Sequence, residues 1–181
     1  MCEVYPIKDN SVVEKMQELM IQDNNSRIHF LFTVGIKSGF RISDILNLTY
    51  EDIRNQTHFD VVEKKTKKRR TIAIHPAILA AFEKYDNGET GLLFTSNSNR
   101  NRGKAFSRIY VVNELKKYAE LAGFKRNVGT HTMRKTFGYR IYQATNNLAT
   151  VQKLLNHSNS GHTLRYIGIE AEELDDAIMG I

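Results

Sequence analysis

The chain has 181 residues, 41% hydrophobic and 25% charged, with 26 Lys and Arg against 20 Asp and Glu for a formal charge of +6. That is enough apolar material for one sizeable core in a single domain over 1–181, and two prolines with eleven glycines exclude collagen-like or proline-rich disorder. The lone Cys2 excludes a disulfide framework and a cysteine-based zinc site, no apolar run approaches the ~20 residues of a spanning helix, and MCEVYPIKDN carries no secretion signal. A soluble cytoplasmic protein without a membrane partner is expected.

From Asn10 to Gln22, Val12, Val13, Met16, Leu19 and Met20 recur at helical spacing, and Asp9 or Ser11 can cap the helix. Ser26 to Ile36 is apolar around most of its circumference and predicts a buried central helix. SGF at Ser38 to Phe40 ends it, and RISDILNL starts a short helix with Arg41 in its first turn. His58–Val62 and Arg70–Ile74 are β-branched runs that predict a hairpin. Pro76 opens a helix to Tyr85, Asp86–Gly91 is a loop, and Leu92–Phe94 predicts a brief strand. A Ser/Asn/Arg-rich loop leads to a long helix over Ala105–Ala122, followed by helices at Thr130–Gln143 with Thr130 as cap, Leu148–Leu155, His162–Tyr166 and an acidic tail helix at Glu170–Met179. The expected fold is mainly α with a small antiparallel β-sheet, an α+β arrangement.

Charge is unevenly spread. Six of the seven residues Lys64–Arg70 are basic, and removing them leaves 20 basic against 20 acidic residues. Arg100–Arg140 adds eleven Lys and Arg against Glu114 and Glu120, whereas the segment after Tyr166 has five acids and no base. A basic loop of this density on a β-turn is the electrostatic footprint of a polyphosphate binder, and nucleic acid is the expected partner.

Four short motifs sharpen that expectation. SGFRISDILNLTYEDI carries Arg41, Asp44 three residues on, and the Leu48, Asp52, Ile53 pattern; HTMRKTF carries His131 and Arg134 on one helical face; LLNHSNSGHTLRYIGI carries His157 and Tyr166 nine positions apart; and VVEKKTKKRRTIAI holds the basic turn. In this order and spacing the sequence resembles the catalytic domain of the tyrosine recombinases, the phage-integrase family. The resemblance runs from about Asp9 to the end. It implies a tyrosine-recombinase catalytic fold with its active-site core over 9–166 and an acidic helix over 167–181 that can pass to a neighbouring protomer. Most members also carry an N-terminal helical domain, whereas some ten residues precede the first helix here. The expectation is a catalytic piece of a longer recombinase, or a minimal form laid out like the bacterial fimbrial-switch invertases.

The resemblance implies site-specific DNA recombination, as integration, excision or inversion, through a covalent 3′-phosphotyrosyl intermediate. Tyr166 would be the nucleophile and His131 its base, with Arg41 and Arg134 clamping the scissile phosphate, a task suited to the planar guanidinium fork. Lys65 would protonate the leaving 5′-hydroxyl, with Lys64, Lys67 and Lys68 competing for that role, and His157 would bond the phosphate or seat Tyr166. Asp44 would orient Arg41 or hold a strand. Lys64, Lys67, Lys68, Arg69, Lys104, Arg108 and Lys135 are candidate DNA contacts, as are Lys116, Lys117, Lys125 and Arg126 on the second basic region. Neither cofactor, metal nor ATP is expected: the sequence has no phosphate-binding loop, carboxylate cluster or Cys/His ligand set. A homotetramer on double-stranded DNA, helped by accessory DNA-bending proteins in a bacterial nucleoid or a phage-infected host, completes the expectation. The rival readings are a type IB topoisomerase-like activity, which would relax circles without recombinants, a non-cutting DNA-binding regulator, which would tolerate loss of Tyr166, and a basic helical domain that binds an acidic protein.

Overall fold

In the computed structural model, which describes residues 3–62, 69–156 and 160–168, Asp9 accepts a hydrogen bond from the Ser11 amide and so opens α1 (Asn10–Gln22). Asn25 caps α2 (Ser26–Ser38) in the same way. This second helix is buried on almost every side, as its sequence predicts, and Phe30 at its centre meets Phe82, Tyr85 and Phe94 at ring-centroid distances of 5.9, 4.9 and 5.5 Å.

Gly39 ends α2 in the left-handed conformation (φ 65°), and a Cβ there would lie 2.3 Å from Phe137. Glycine thus serves both the turn and the close approach of a later helix. The following helix, α3 (Ile42–Ile45), is shorter than the predicted one. Arg41 stands before its first turn, as an extended N-cap residue. The Leu48, Asp52, Ile53 pattern proves to be scaffolding: Leu48 and Ile53 are buried, and the Asp52 carboxylate accepts from the Thr49 amide (2.8 Å) and hydroxyl (2.9 Å), closing a 3-10 turn at Tyr50–Asp52.

Strands β1 (His58–Val62) and β2 (Arg69–Ala73) pair antiparallel, with His58 opposite Ala73 and Val62 opposite Arg69. Phe59 is buried from this ribbon and packs edge-on against Phe40, 5.1 Å away. The turn holding Lys64, Lys65, Lys67 and Lys68 lies outside the described residues.

Pro76 opens α4 (Pro76–Tyr85). The expected strand at Leu92–Phe94 is not one: Leu92 bridges Thr49 and Thr95 bridges Ala105 singly, so the segment is held by neighbours without a continuous ladder. That bridge also explains why α5 (Arg108–Leu121) starts three residues later than its periodicity suggests. Ala105 is paired to Thr95, the Phe106 amide donates to the Phe94 carbonyl, and Ser107 takes the cap.

The last helices are α6 (Thr132–Thr145), α7 (Leu148–Leu155) and α8 (Ser160–Ile167). Thr130 does not cap α6; His131 occupies the cap position without its side chain bonding the helix's first amides, and the Gly129 amide donates to the Thr132 hydroxyl instead. The core also begins earlier than Asp9. Ile7 is fully buried and its amide donates to the Thr136 hydroxyl, the Tyr5 amide donates to the Asn127 carbonyl, and residues 3–8 lie as an extended strap along the start of α6. The expected acidic helix at Glu170–Met179 lies outside the described residues.

Candidate active site

Two tight helix contacts fix α6. A Cβ on Gly35 of α2 would lie 2.4 Å from the Met133 sulfur, and one on Gly138 would lie 2.8 Å from Ile167 and 3.0 Å from Leu155. With no side chain at either position, α6 is clasped by the central helix on one side and by α7 and α8 on the other. His131, Arg134 and Lys135 at its start therefore meet both the α2–α3 corner, which carries Arg41, and α8, which carries Tyr166.

Arg134 is 2% exposed, and its guanidinium donates to the carbonyl of Gly39 (2.5 Å) and to that of Leu155. Those carbonyls close α2 and α7, so one side chain satisfies two helix ends and is itself locked in direction. Arg41 is partly exposed one corner away, with its carbonyl accepting from the Asp44 and Ile45 amides. Asp44 is buried in α3 with the Ser43 hydroxyl 3.4 Å from its carboxylate, and its own amide bond to Arg41 helps fix that corner.

Tyr166 projects from α8 so that its hydroxyl lies 2.9 Å from His131 Nδ1, the two rings meeting edge to face at 87°. Burial pushes the Tyr166 phenol above its ordinary value, while the charges of Arg134, which also hydrogen-bonds it, and Arg41 pull it down. The phenol is therefore protonated at neutral pH, with the two guanidiniums partly offsetting the dominant effect of burial. Of the six residues expected to form the site, Arg41, His131, Arg134 and Tyr166 are brought together; Lys65 and His157 lie outside the described residues.

The candidate DNA contacts are dispersed. Lys104 lines a recess of about 640 Å3 together with Arg27 and Tyr110, and Arg108 is exposed at the start of α5. Arg69 lies on β2. Lys116, Lys125 and Arg126 line a second recess of about 600 Å3 at the far end of α5, and Arg126 stacks on Tyr5. Lys117 is bound by Asp23 at 2.7 Å. Lys135 is not on an open basic face: it is 8% exposed, with its ammonium 5.3 Å from the centre of the Tyr166 ring. Its neighbourhood was illegible in sequence because residue 135 lies next to the Arg134 face and its partners come from α8 and the N-terminal strap. Among the described residues no group of His, Cys, Asp and Glu could hold a metal ion, and no helix is long and apolar enough to cross a membrane.

Comparison with known proteins agrees with this geometry. The family model described as "Phage integrase family" matches residues 7–173. The probable integrase/recombinase YoeC of Bacillus subtilis (strain 168) is 40% identical over 171 residues, covering 93% of this chain and 92% of that protein. A tyrosine recombinase of Pseudothermotoga lettingae is 28% identical, and there the match covers 93% of this chain but 58% of the relative. Among solved structures, the crystal structure of XerA recombinase superposes with a TM-score of 0.76 at 19% identity, covering 99% of this chain and 64% of that one. The catalytic domain of bacteriophage HP1 integrase superposes with a TM-score of 0.64 at 19% identity, covering 98% and 95%.

Proposed function

The chain belongs to the phage integrase family of tyrosine recombinases, and from that premise we propose that it recombines double-stranded DNA at specific sites by cutting and rejoining strands through Tyr166. The phenolic oxygen attacks the scissile phosphorus as the bond from phosphorus to the 5′ oxygen breaks. The phenol proton passes to His131 Nδ1, and the departing 5′ oxygen takes a proton from the hairpin lysine, Lys65 or one of its neighbours Lys64, Lys67 and Lys68. The product is a 3′-phosphotyrosyl bond and a free 5′-hydroxyl, and the reverse step with a partner strand's hydroxyl completes exchange without loss of bond energy.

The observation that carries the reading is the 2.9 Å contact between His131 and the Tyr166 hydroxyl, set against the fixed guanidinium of Arg134. A buried phenol cannot attack until its proton leaves, and the base is already at hydrogen-bond distance. Arg41 and Arg134 would bind the non-bridging oxygens, where negative charge grows in the transition state. His157 would add a further bond to the phosphate, and Lys104, Arg108 and Arg69 would fix register through phosphates. The working form would be a homotetramer on DNA in the cytoplasm, with the acidic 167–181 segment linking protomers and DNA-bending proteins assisting.

Incubating the protein with nicked suicide duplexes drawn from DNA flanking its gene tests this. A protein–DNA adduct on a denaturing gel, absent for Tyr166→Phe, supports the reading; binding without any adduct from the wild-type chain contradicts it. A two-site exchange assay then separates recombination from simple nicking and resealing.

A further inference from the structure

Resting on that reading, we propose that Lys135 is a positioning residue for the nucleophile: its buried ammonium lies over the face of the Tyr166 ring and stabilises the phenolate as it forms. The geometry is specific. The ammonium is 5.3 Å from the ring centroid, whereas His131 meets the same ring at its edge and holds the hydroxyl. The face is thus occupied by a cation, and the oxygen is left to His131, Arg134 and the phosphate.

A buried lysine at this point has a cost that packing alone does not explain. Residues 132–138 of α6 face inward, and an apolar side chain would fill the place without desolvating a charge. Burial holds the Lys135 ammonium below the ordinary lysine value, and Glu3 on the N-terminal strap acts in the opposite direction. The strap is itself tied to α6 by the Ile7–Thr136 bond, and a Cβ on Gly168, two residues beyond Tyr166, would lie 3.0 Å from Pro6. Strap, lysine and nucleophile form one packed layer.

The charge has a use only if it acts more strongly on the transition state than on the resting phenol. When the proton leaves, negative charge spreads from the oxygen into the ring, and attraction to a cation above the ring face grows with it. The charged groups facing Tyr166 among the described residues are His131, Arg134 and Lys135 from α6 and Arg41 from the start of α3; Lys8 of the strap lies over the neighbouring Tyr139. When DNA is bound, the two guanidiniums are shared with the scissile phosphate. Lys135 addresses the ring and stays committed to the tyrosine.

Two measurements on the full chain test this. In single-turnover adduct formation on the suicide duplex, Lys135→Met is expected to shift the rising limb of the pH–rate profile to higher pH, slowing the reaction by roughly three- to thirtyfold near neutrality, without lowering Tm, and Lys135→Arg restores the profile. An unchanged rate, or a loss that is uniform in pH and follows Tm, overturns the proposal. The second measurement needs no cleavage: the chain is labelled with 3-fluorotyrosine, whose more acidic phenol moves ionisation down towards the pH range in which lysine is charged, and the Tyr166 fluorine signal is assigned by its absence in Tyr166→Phe. Lys135→Met should raise its titration midpoint by roughly half a pH unit or more and Lys135→Arg should not; coincident wild-type and Lys135→Met midpoints overturn the proposal. Should the wild-type chain form no adduct while the fluorine midpoints differ as stated, the cleavage reading fails and the Lys135 contact stands.

Discussion

Two hydrophobic clusters of unequal size stand out among the described residues, and the proposed site is divided between them. The larger runs from Ile7 through α1, α2, the hairpin and α5 to Met133, and it supports Arg41 and the start of α6. The smaller has, among the described residues, Phe137, Val151, Leu155 and Ile167 buried, with Tyr139, Ile141, Tyr142 and Leu148 against it, and it supports Tyr166. The groups that would hold the phosphate are fixed by a deep core, while Tyr166, the proposed nucleophile, rides on a helix anchored, among the described residues, by a shallower one. Arg134 is a polar link between them, because one guanidinium bonds the Gly39 carbonyl of the first region and the Leu155 carbonyl of the second. A helix with little buried apolar area opens locally at lower free energy than the core it leans on, so local opening of α8 without loss of the core around α2 is the expected behaviour.

Breaking the link should have the largest effect. Arg134→Lys keeps a positive charge but cannot span both carbonyls, and it should slow adduct formation by roughly 10²–10³-fold and cost about 1–3 kcal/mol of stability for the carbonyl left unpaired; suicide-duplex kinetics and urea unfolding measure both. Next comes the seat of α8. Gly138→Val crowds Ile167 and Leu155, so it should cost about 1–3 kcal/mol and reduce adduct yield while leaving the near-ultraviolet circular dichroism of the larger aromatic core in place. An equal loss of signal from both regions would show that the clusters unfold together.

The smallest effect is on the pH dependence of stability, to which the larger region contributes most of the shifted tyrosines. Tyr50, Tyr85 and Tyr118 of the larger region all have phenols raised chiefly by burial. The folded state holds those protons more tightly than the unfolded chain does. Their stabilisation is complete below the ordinary tyrosine value of about 10 and is lost as pH rises above it towards the raised values. Lys37 and Lys135, held low by burial, act with the opposite sign over the interval up to the ordinary lysine value. With more tyrosines than lysines shifted, the urea midpoint should be flat from neutrality to about pH 9 and fall beyond about pH 10; a rise there would reverse the account.

What was legible in the sequence follows the same division. Helices α1, α2, α4 and α7 are readable because each carries a local signal, the apolar stripe behind Asp9 in α1, the nearly all-apolar run of α2, Pro76 at the start of α4 and the short apolar set of α7; Asn25, His75 and Asn147 prove to cap the last three. Arg41, His131, Arg134 and Tyr166 were found through motif order, and the fold brings them together. The misread features depend on distant partners: Ala105 is drawn out of α5 by Thr95, the Thr130 cap loses to the Gly129–Thr132 bond, and the N-terminal strap is held by Thr136. Lys135 was read as a phosphate contact because its charge is visible in sequence and its burial under Tyr166 is not. Gly35 and Gly138, glycines inside helices, were the available signal that α6 is tightly clasped.

The most direct test of the divided site is native-state hydrogen exchange followed amide by amide. The account predicts that the amides of α8 around Thr163–Ile167 exchange through a local opening well below the global unfolding free energy, while those of α2 around Phe30–Val34 exchange only with global unfolding. Equal protection of the two helices, falling together with denaturant, would contradict it and make the nucleophile part of one rigid core.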